Sequence, residues 1–297
     1  MTEKPFNNPF NSVHSVQKPI IRAEFSKNAA LYDSVAVVQR RIANRVVEQA
    51  IYALQQVFND PETVKHPIHI LDAGCGTGYV GESFVNQLHQ LATIERISEK
   101  SIHLTALDLS YEMLEAAKKR QIYRSFKEGD IEALPFSDSI FDLVVSSLAI
   151  QWCHHPQKAI AELVRVAQIS EPHRSLYDAS KRSPSIIIST LLEGTLQELS
   201  DAFQQIDNEQ HILDFITETA LRSIVQEYDG TLTVYKEVVT FDSLKSLFKS
   251  LKNIGASALP HRRKGLLGRE SYQKLDHYFK MLGNYQLTYV VGLIEIP

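Results

Sequence analysis

The sequence has few cysteines, little net charge and no long apolar run. Its 297 residues include two cysteines, Cys75 and Cys153, and carry a formal net charge of -4. Two cysteines are too few for a disulfide framework or a zinc cluster. The charge implies no general affinity for nucleic acid or an anionic membrane. No apolar run reaches the roughly 18 residues that span a membrane, and residues 1–16 lack the apolar core of a secretory signal. We therefore expect a cytoplasmic protein without a metal, nucleic-acid or membrane partner.

The remaining composition is that of a globular α/β protein. Hydrophobic residues make up 44% of the chain, as is usual for folded domains. Short apolar segments alternate with segments of helical periodicity, which predicts right-handed βαβ units around a mostly parallel, Rossmann-like sheet. Strands are predicted at 68–71, 102–107, 125–128, 141–146, 186–190, 231–240 and 285–296. Helices are predicted within 20–58 and at 81–91, 111–120, 158–167, 196–207 and 241–254, with Ser110 as a helix N-cap.

The domain organisation follows from these elements. Residues 1–19 are expected to be a flexible N-terminus, and 20–297 a single domain. Residues 65–167 would form a cofactor-binding core with helices on both faces of the sheet. About 195–280 would form a helical cover for substrate or partner, and the C-terminus would complete the sheet. The polar stretch 169–185 is expected to be an exposed loop.

A glycine-dense turn follows the first predicted strand, at Asp72 to Gly78. A phosphate-binding loop would need Lys-Ser/Thr after the last glycine, but Tyr79 and Val80 stand there. Residues 76–81 match the dinucleotide fingerprint G-x-G-x-x-G. However, the acid Asp72 precedes them, and it would repel a pyrophosphate while attracting a cation such as a sulfonium. The turn therefore favours S-adenosylmethionine over a nicotinamide dinucleotide, with a tight strand-to-helix turn as the alternative.

Three more elements follow predicted strands, at the edge where open α/β sheets bind ligands. Asp108 ends the second strand and is positioned to accept hydrogen bonds from two ribose hydroxyls, with a helix N-cap as its alternative role. Asp130 and Ile131 follow the third strand and suit the amine and face of adenine. A short Ser-Ser-Leu-Ala segment follows the fourth strand. The candidate cofactor-binding residues are Asp72, Gly74, Cys75, Gly76, Gly78, Asp108, Leu109, Asp130, Ile131, Ser147 and Leu148.

These motifs resemble the ordered motifs of class I S-adenosylmethionine-dependent methyltransferases. The resemblance is carried by Asp72 to Gly78, Asp108 to Ser110, Gly129 to Phe136 and Phe141 to Val144. It covers roughly residues 65–167. It implies a seven-stranded sheet whose last strand is antiparallel.

A narrower resemblance extends over nearly the whole chain. Residues 25–39, 147–153, 189–199, 251–256 and 287–289 are similar to segments of the malonyl-acyl-carrier-protein O-methyltransferases of biotin synthesis. The stretch 169–185 departs from that family, in which a short turn is usual. The resemblance implies methyl transfer to the free carboxylate of malonyl-acyl carrier protein, giving the ester that primes pimeloyl synthesis. Malonyl-coenzyme A as the alternative carrier of that carboxylate stays open.

This chemistry requires no catalytic base, since a carboxylate is already a nucleophile at neutral pH and the reaction depends on alignment and desolvation. No catalytic residue is therefore predicted. Candidates for closing over the methyl acceptor are Tyr32, Gln39, Trp152 and Tyr289, and core packing is the alternative role of each.

The family's carrier protein is acidic, so basic residues are candidates for docking it, with a solvated charged surface as the alternative. They are Lys245, Lys249, Lys252, Arg262, Arg263 and Lys264. Two other functions stay open at this point. One is methyl transfer by the same fold to another small carboxylic acid or a quinone precursor, and the other is a non-catalytic, assembly-factor-like binding protein.

Overall fold

The structure is a computed structural model that describes residues 18–58, 67–95, 102–167, 185–207, 209–253 and 268–297. The flexible N-terminus predicted at 1–19 lies outside these ranges up to residue 17, while Lys18 and Pro19 already belong to a helix. The exposed loop predicted at 169–185 also lies outside them, except for Ser185. In the described residues no helix is long and apolar enough to cross a membrane.

One sheet of seven strands organises the described residues, in the order β3-β2-β1-β4-β5-β7-β6. β1 to β5 are parallel, and β7 runs antiparallel between β5 and β6. The predicted seven-stranded sheet with an antiparallel last strand is thus confirmed. The strands are β1 Ile68–Ala73, β2 Ile102–Asp108, β3 Ser125–Glu128, β4 Leu143–Ser147, β5 Ile186–Leu191, β6 Thr231–Phe241 and β7 Tyr285–Ile296.

The helices flank this sheet and differ from the predicted ones mainly at their ends. They are α1 Lys18–Val35, α2 Val37–Phe58, α3 Tyr79–Glu95, α4 Tyr111–Lys118, α5 Pro156–Ala167, α6 Gln197–Gln204, α7 Glu218–Gln226, α8 Leu244–Asn253 and α9 Arg269–Met281, with a 3-10 turn at Ile150–Trp152.

Several predicted helix bounds were wrong. The predicted helix region 20–58 is interrupted at Ala36, so it forms two helices. Phe241 is the last residue of β6, paired with Tyr285, and α8 begins only at Leu244. Residues 205–207 lie beyond the end of α6. Helices α7 and α9 were not predicted as separate elements.

Packing on the two faces explains why these segments are helical. α2 and α3 cover one face, where Val46, Val47 and Phe84 pack on Ile70 of β1. α5 covers the other face with Ile160 and Leu163, which are fully buried against β4 and β5. Central strands buried from both sides read as continuous apolar runs, which is why β1 and β4 were predictable.

The predicted cover is a third apolar cluster beside the sheet. Leu199 of α6, Leu247 of α8 and Phe279 of α9 pack on Leu287 of β7 and on Val38 near the start of α2. These helices therefore lie beside the carboxyl end of β5, because β7 begins there and runs back along β5. The boundaries of the cover stay a prediction, and the cluster shows which helices would form it.

Candidate cofactor and acceptor site

The glycine turn links β1 to α3 through three residues in the left-handed backbone region. Gly74, Gly76 and Gly78 have φ values of 77°, 53° and 87°, which glycine adopts without the penalty of a side chain. The amides of Gly74 and Cys75 both donate to the carbonyl of Leu107, at 2.8 and 2.9 Å. The turn is thereby fixed to the end of the neighbouring strand.

The three glycines meet different surroundings. A Cβ on Gly74 would stand 2.4 Å from the Cβ of Ala149, and one on Gly78 would stand 3.0 Å from the ring of Tyr123. A Cβ on Gly76 would have nothing within 4 Å. Gly74 and Gly78 therefore permit close packing, whereas the space beside Gly76 is open. Cys75 is a buried core residue, so its side chain belongs to the packing around β1.

Asp72 ends β1 as a fully buried acid. One carboxylate oxygen accepts a hydrogen bond from the hydroxyl of Tyr123, which also accepts from the amide of Gly81 at 3.3 Å. The other oxygen, Oδ1, is buried without a hydrogen-bond partner. Burial is the main reason that the pKa of Asp72 is raised to about 7; the neighbouring Asp108 also raises it, against the hydrogen bond from Tyr123, which lowers it. A buried carboxylate with an unsatisfied oxygen is a group that a cationic ligand would stabilise.

Asp108 ends β2 and connects it to the glycine turn. Its Oδ2 accepts the amide of Gly76 at 2.8 Å, and its Oδ1 accepts the amide of Ser110 at the same distance. Burial raises the pKa of Asp108 to about 6, against these hydrogen bonds, which lower it. The N-cap of α4 is Ser110, whose hydroxyl accepts the amide of Met113 at 3.2 Å. The predicted cap is confirmed, and Asp108 is left facing the turn.

Asp130 and Ile131 follow β3 on the same edge. Oδ1 of Asp130 accepts the amide of Glu132 at 2.9 Å, and its Oδ2 contacts the ammonium group of Lys18. Ile131 is buried, and its Cδ1 would lie 3.3 Å from a Cβ on Gly74. The structure thus brings the residues predicted for adenine next to the glycine turn.

The segment after β4 closes this edge. Leu148 has φ 53°, in the left-handed region that bulky residues rarely adopt, and such backbone concentrates at functional sites. Its amide donates to the carbonyl of Ser189, and its carbonyl accepts Nε2 of Gln151 at 2.7 Å. Ser147 accepts a hydrogen bond from the hydroxyl of Ser189 at 3.1 Å. Gln151 therefore has a fixed position at the carboxyl ends of β4 and β5.

A cavity of about 1010 Å³ lies beside this edge and shares no residue with the glycine turn. Gln151 and Thr190 line it on the sheet side, and Phe203 and His211 on the side of the cover. The ring of His211 stacks on Phe203 at 3.9 Å, and its Nε2 lies 2.7 Å from Oδ1 of Asp207. The segment after β4 thus reaches both places, since Ala149 packs beside Gly74 and Gln151 lines the cavity.

The four candidates for closing over the acceptor have different surroundings. Trp152 is half-buried in the 3-10 turn and meets Phe25 of α1 edge to face, with ring centroids 5.4 Å apart. Gln39 is half-buried near the start of α2. Tyr289 is 3% exposed within the cover cluster, and burial raises its pKa. Tyr32 belongs to α1, but its side chain lies outside the described residues. The role of each residue in closing over the acceptor stays a prediction.

The basic candidates for docking are only partly described. Lys245 and Lys249 are exposed on α8, one helical turn apart, opposite the buried Leu244 and Leu247. The side chain of Lys252 and the whole of Arg262, Arg263 and Lys264 lie outside the described residues. The predicted spacing thus places two lysines on one solvent-facing side of the cover.

Three groups at this site were missed by the sequence analysis. Tyr123 holds Asp72, Arg120 donates from Nε to the carbonyl of Thr77 at 2.6 Å, and Glu132 is a buried acid next to Asp130. Arg120 was predicted as the last residue of the helix 111–120, but that helix ends at Lys118, so Arg120 and Tyr123 both lie in the connection between α4 and β3. Nothing in the local sequence indicates their contacts with the glycine turn. Glu132 was within a quoted motif, but nothing in the sequence indicated its burial.

Comparison with known proteins defines the class of this site. The family described as a methyltransferase domain matches residues 71–169. A malonyl-[acyl-carrier protein] O-methyltransferase of Hamiltonella defensa is 33% identical over 286 residues, covering 95% of this chain and 96% of its own. One of Yersinia pestis is 33% identical and covers 94% and 92% of the two chains. A solved putative methyltransferase of Bacillus halodurans is 14% identical, with a TM-score of 0.49, over 82% of this chain and 96% of its own.

The sheet and the ordered acids at its carboxyl edge are those of a class I methyltransferase. Within that class, the near-full-length sequence relatives decide the family. The chain belongs to the malonyl-[acyl-carrier protein] O-methyltransferases.

Proposed function

We propose that this protein transfers a methyl group from S-adenosylmethionine to the free carboxylate of malonyl-acyl carrier protein. The observation that carries the proposal is the near-full-length similarity to proteins with that name, at 33% identity over 95% of the chain. The glycine turn with its acids supports a position for the cofactor, and the cavity beside the ends of β4 and β5 supports one for the acceptor. The product, a malonyl methyl ester, would prime pimeloyl synthesis for biotin, and the protein would act in the cytoplasm.

The residues of the glycine edge fit S-adenosylmethionine. The unpartnered oxygen of buried Asp72 suits a positively charged ligand, and the open space beside Gly76 permits backbone to approach it. Asp108 would bind the ribose, with Asp130 and Ile131 at the adenine. When bound, this cofactor supplies a methyl group on a positively charged sulfur, which is a strong electrophile.

The chain's own contribution to the reaction is alignment. A malonyl carboxylate is ionised at neutral pH, because carboxyl groups have an ordinary pKa near 4, so no residue needs to remove a proton. Holding two reactants at the right distance and direction contributes a large share of the barrier reduction. Gln151 and Leu148, joined by a hydrogen bond in the segment after β4, would set that geometry, and Trp152 would exclude water.

The lining of the cavity favours an uncharged, amide-bearing chain. Its acids include Glu193 and Asp214, and no lysine or arginine is among the described residues that line it. Glutamines such as Gln197 and Gln204 can pair with the amides of a pantetheine arm. We assign the cavity to that arm, with its malonyl end directed toward Gln151.

The exposed lysines of α8 suit the docking of an acidic carrier protein. Lys245 and Lys249 lie on the solvent side of a helix whose other side packs in the cover cluster. Opposite charges on two surfaces accelerate encounter more than they increase affinity. The carrier's acidic surface would therefore be guided to the cover.

Initial methyl-transfer rates with three acceptors test the proposal. Malonyl-acyl carrier protein should be methylated, whereas acetyl-acyl carrier protein, which lacks the free carboxylate, should not. Malonyl-coenzyme A offers the same carboxylate without the carrier surface and should react more slowly. Methylation of acetyl-acyl carrier protein would contradict the proposed function. Methylation of neither malonyl- nor acetyl-acyl carrier protein would contradict it as well.

A further inference from the structure

Helix α1 directs one face at the carboxyl edge of the sheet. Lys18, Arg22, Phe25 and Ser26 follow the spacing that puts side chains on one side of a helix. Arg22 pairs with Glu128 at the end of β3, at 2.5 Å. The Ser26 hydroxyl lies 3.0 Å from that of Ser110, which follows β2, and donates to Glu112 at 2.5 Å. Phe25 meets Trp152, which follows β4. Their partners therefore all follow or end strands at the carboxyl edge of the sheet, beside the residues proposed to bind the cofactor.

Lys18 makes the most enclosed of these contacts. Its ammonium group contacts the carboxylates of both Asp130 and Glu132, and its side chain is 22% exposed. Glu132 has a side chain 5% exposed, so its charge is nearly removed from water. Removing one partner of an ion pair strongly destabilises a protein when the other partner is buried, because an uncompensated buried charge remains.

Glu132 also holds the segment that follows the 3-10 turn. Its Oε1 accepts the amide of His155 at 2.8 Å, and its Oε2 accepts the amide of His154 at 3.1 Å. The adenine-side acid Asp130 and the acceptor-side segment at Trp152 are consequently linked through Glu132 and Lys18. No other described lysine makes an ion pair with either acid.

We propose that Lys18 and Glu132 are positioning residues that couple closure of α1 over the cofactor to the placement of Trp152 beside the acceptor. The proposal rests on the proposed function and deepens it. With α1 docked, its contacts with Glu128, Ser110 and Trp152 lie across the ends of β2, β3 and β4. A bound cofactor would leave only after α1 separates from that edge, and the separation would release the acceptor-side segment as well.

The single tryptophan of the chain makes this testable, because all tryptophan fluorescence comes from Trp152. S-adenosylhomocysteine, the demethylated cofactor product, is the probe. In the unaltered protein it should reduce acrylamide quenching of Trp152. In Lys18→Met, S-adenosylhomocysteine should no longer reduce the quenching of Trp152. It should also dissociate at least about tenfold faster, which is the change expected when one charge-assisted hydrogen bond is lost. With saturating cofactor, kcat should also fall, which a contact serving cofactor affinity alone would not produce.

Lys27→Met is the matched control, because Lys27 is exposed on the same helix. It should behave like the unaltered protein, and Lys18→Arg should restore the protection of Trp152. Glu132→Gln keeps one acceptor oxygen but no charge, so it should release α1 while the protein stays folded, as circular dichroism would show. If Lys18→Met and Lys27→Met give equal dissociation rates and equal quenching, the proposal is wrong.

The outcome is distinguishable from failure of the proposed function. Binding of S-adenosylhomocysteine is measured without any methyl acceptor. Binding with no response of Trp152 would overturn the coupling and leave methyl transfer intact. Absence of binding in the unaltered protein would overturn both.

Discussion

Replacing either of two glycines in the cofactor turn by alanine should separate folding from cofactor binding. Both Gly74 and Gly76 have positive φ, so each alanine costs about 1–2 kcal/mol of stability from left-handed backbone alone. At Gly74 the new Cβ would also stand 2.4 Å from the Cβ of Ala149, whereas carbon atoms prefer about 3.5–4.0 Å. Relieving that overlap costs a further amount of about 1–3 kcal/mol.

Gly74→Ala should therefore destabilise the protein by about 2–5 kcal/mol, and Gly76→Ala by about 1–2 kcal/mol. Since 1 kcal/mol lowers Tm by about 2–4 °C in a large domain, scanning calorimetry resolves the two. For cofactor affinity we expect the two variants in the opposite order. The Cβ of Gly76→Ala enters open space at the proposed cofactor surface, so titration calorimetry should show the larger loss of S-adenosylmethionine affinity at 76.

The double variant Gly74→Ala/Ala149→Gly is the control for the overlap, because it removes the colliding atom. It should regain the stability lost to the collision of the two Cβ atoms, but not the stability lost to the strained backbone at residue 74. Two results would refute the reasoning. One is wild-type cofactor affinity in Gly76→Ala, and the other is a Gly74→Ala protein no less stable than Gly76→Ala.

Four further predictions follow from charge. The pKa values of Asp72, about 7, and Asp108, about 6, exceed the ordinary value. The folded protein thus binds more protons than the unfolded chain between about pH 4 and 7. The free energy of unfolding of the unliganded protein should therefore fall as pH rises through that window. Denaturant titrations at several pH values would show this fall. A cationic cofactor binds better when Asp72 and Asp108 are ionised. Its affinity should therefore rise between about pH 5.5 and 8, and protons should be released when it binds. Calorimetry in two buffers should detect that release, and a flat profile would contradict it. Tyr123→Phe removes a hydrogen bond that lowers the pKa of Asp72 and should move the affinity midpoint to higher pH; an unchanged midpoint would exclude that role. Lys245→Glu/Lys249→Glu should weaken the binding of carrier protein severalfold and should make that binding less dependent on salt. The control Lys158→Glu, on α5, should change neither quantity. Equal effects of the two variants would argue against docking at α8.

Most of the sheet and the four strand-end motifs were predictable from the sequence, for a physical reason. Central parallel strands such as β1 are buried on both faces, so they appear as apolar runs ended by glycine or acid. Asp108 and Ser110 were identified by position after such a run, and the N-cap role of Ser110 is confirmed. Local pattern is enough where one strand or turn determines the structure.

The contacts across the edge of the site were not predictable. Lys18 meets Asp130 over 112 positions of sequence, and Tyr123 meets Asp72 over 51. No local periodicity encodes such pairs. Helix α7 is a different case, because Thr217 caps it and Leu221, Ile224 and Val225 have helical spacing. That signal was present and was overlooked.

The most direct test of the central claim is the intact mass of malonyl-acyl carrier protein after incubation with this protein and S-adenosylmethionine. We predict the gain of one methyl group, removable by an esterase, and a smaller gain with Gly76→Ala at the same subsaturating cofactor concentration and incubation time. An unchanged mass, under conditions where calorimetry shows the cofactor bound, would contradict the central claim.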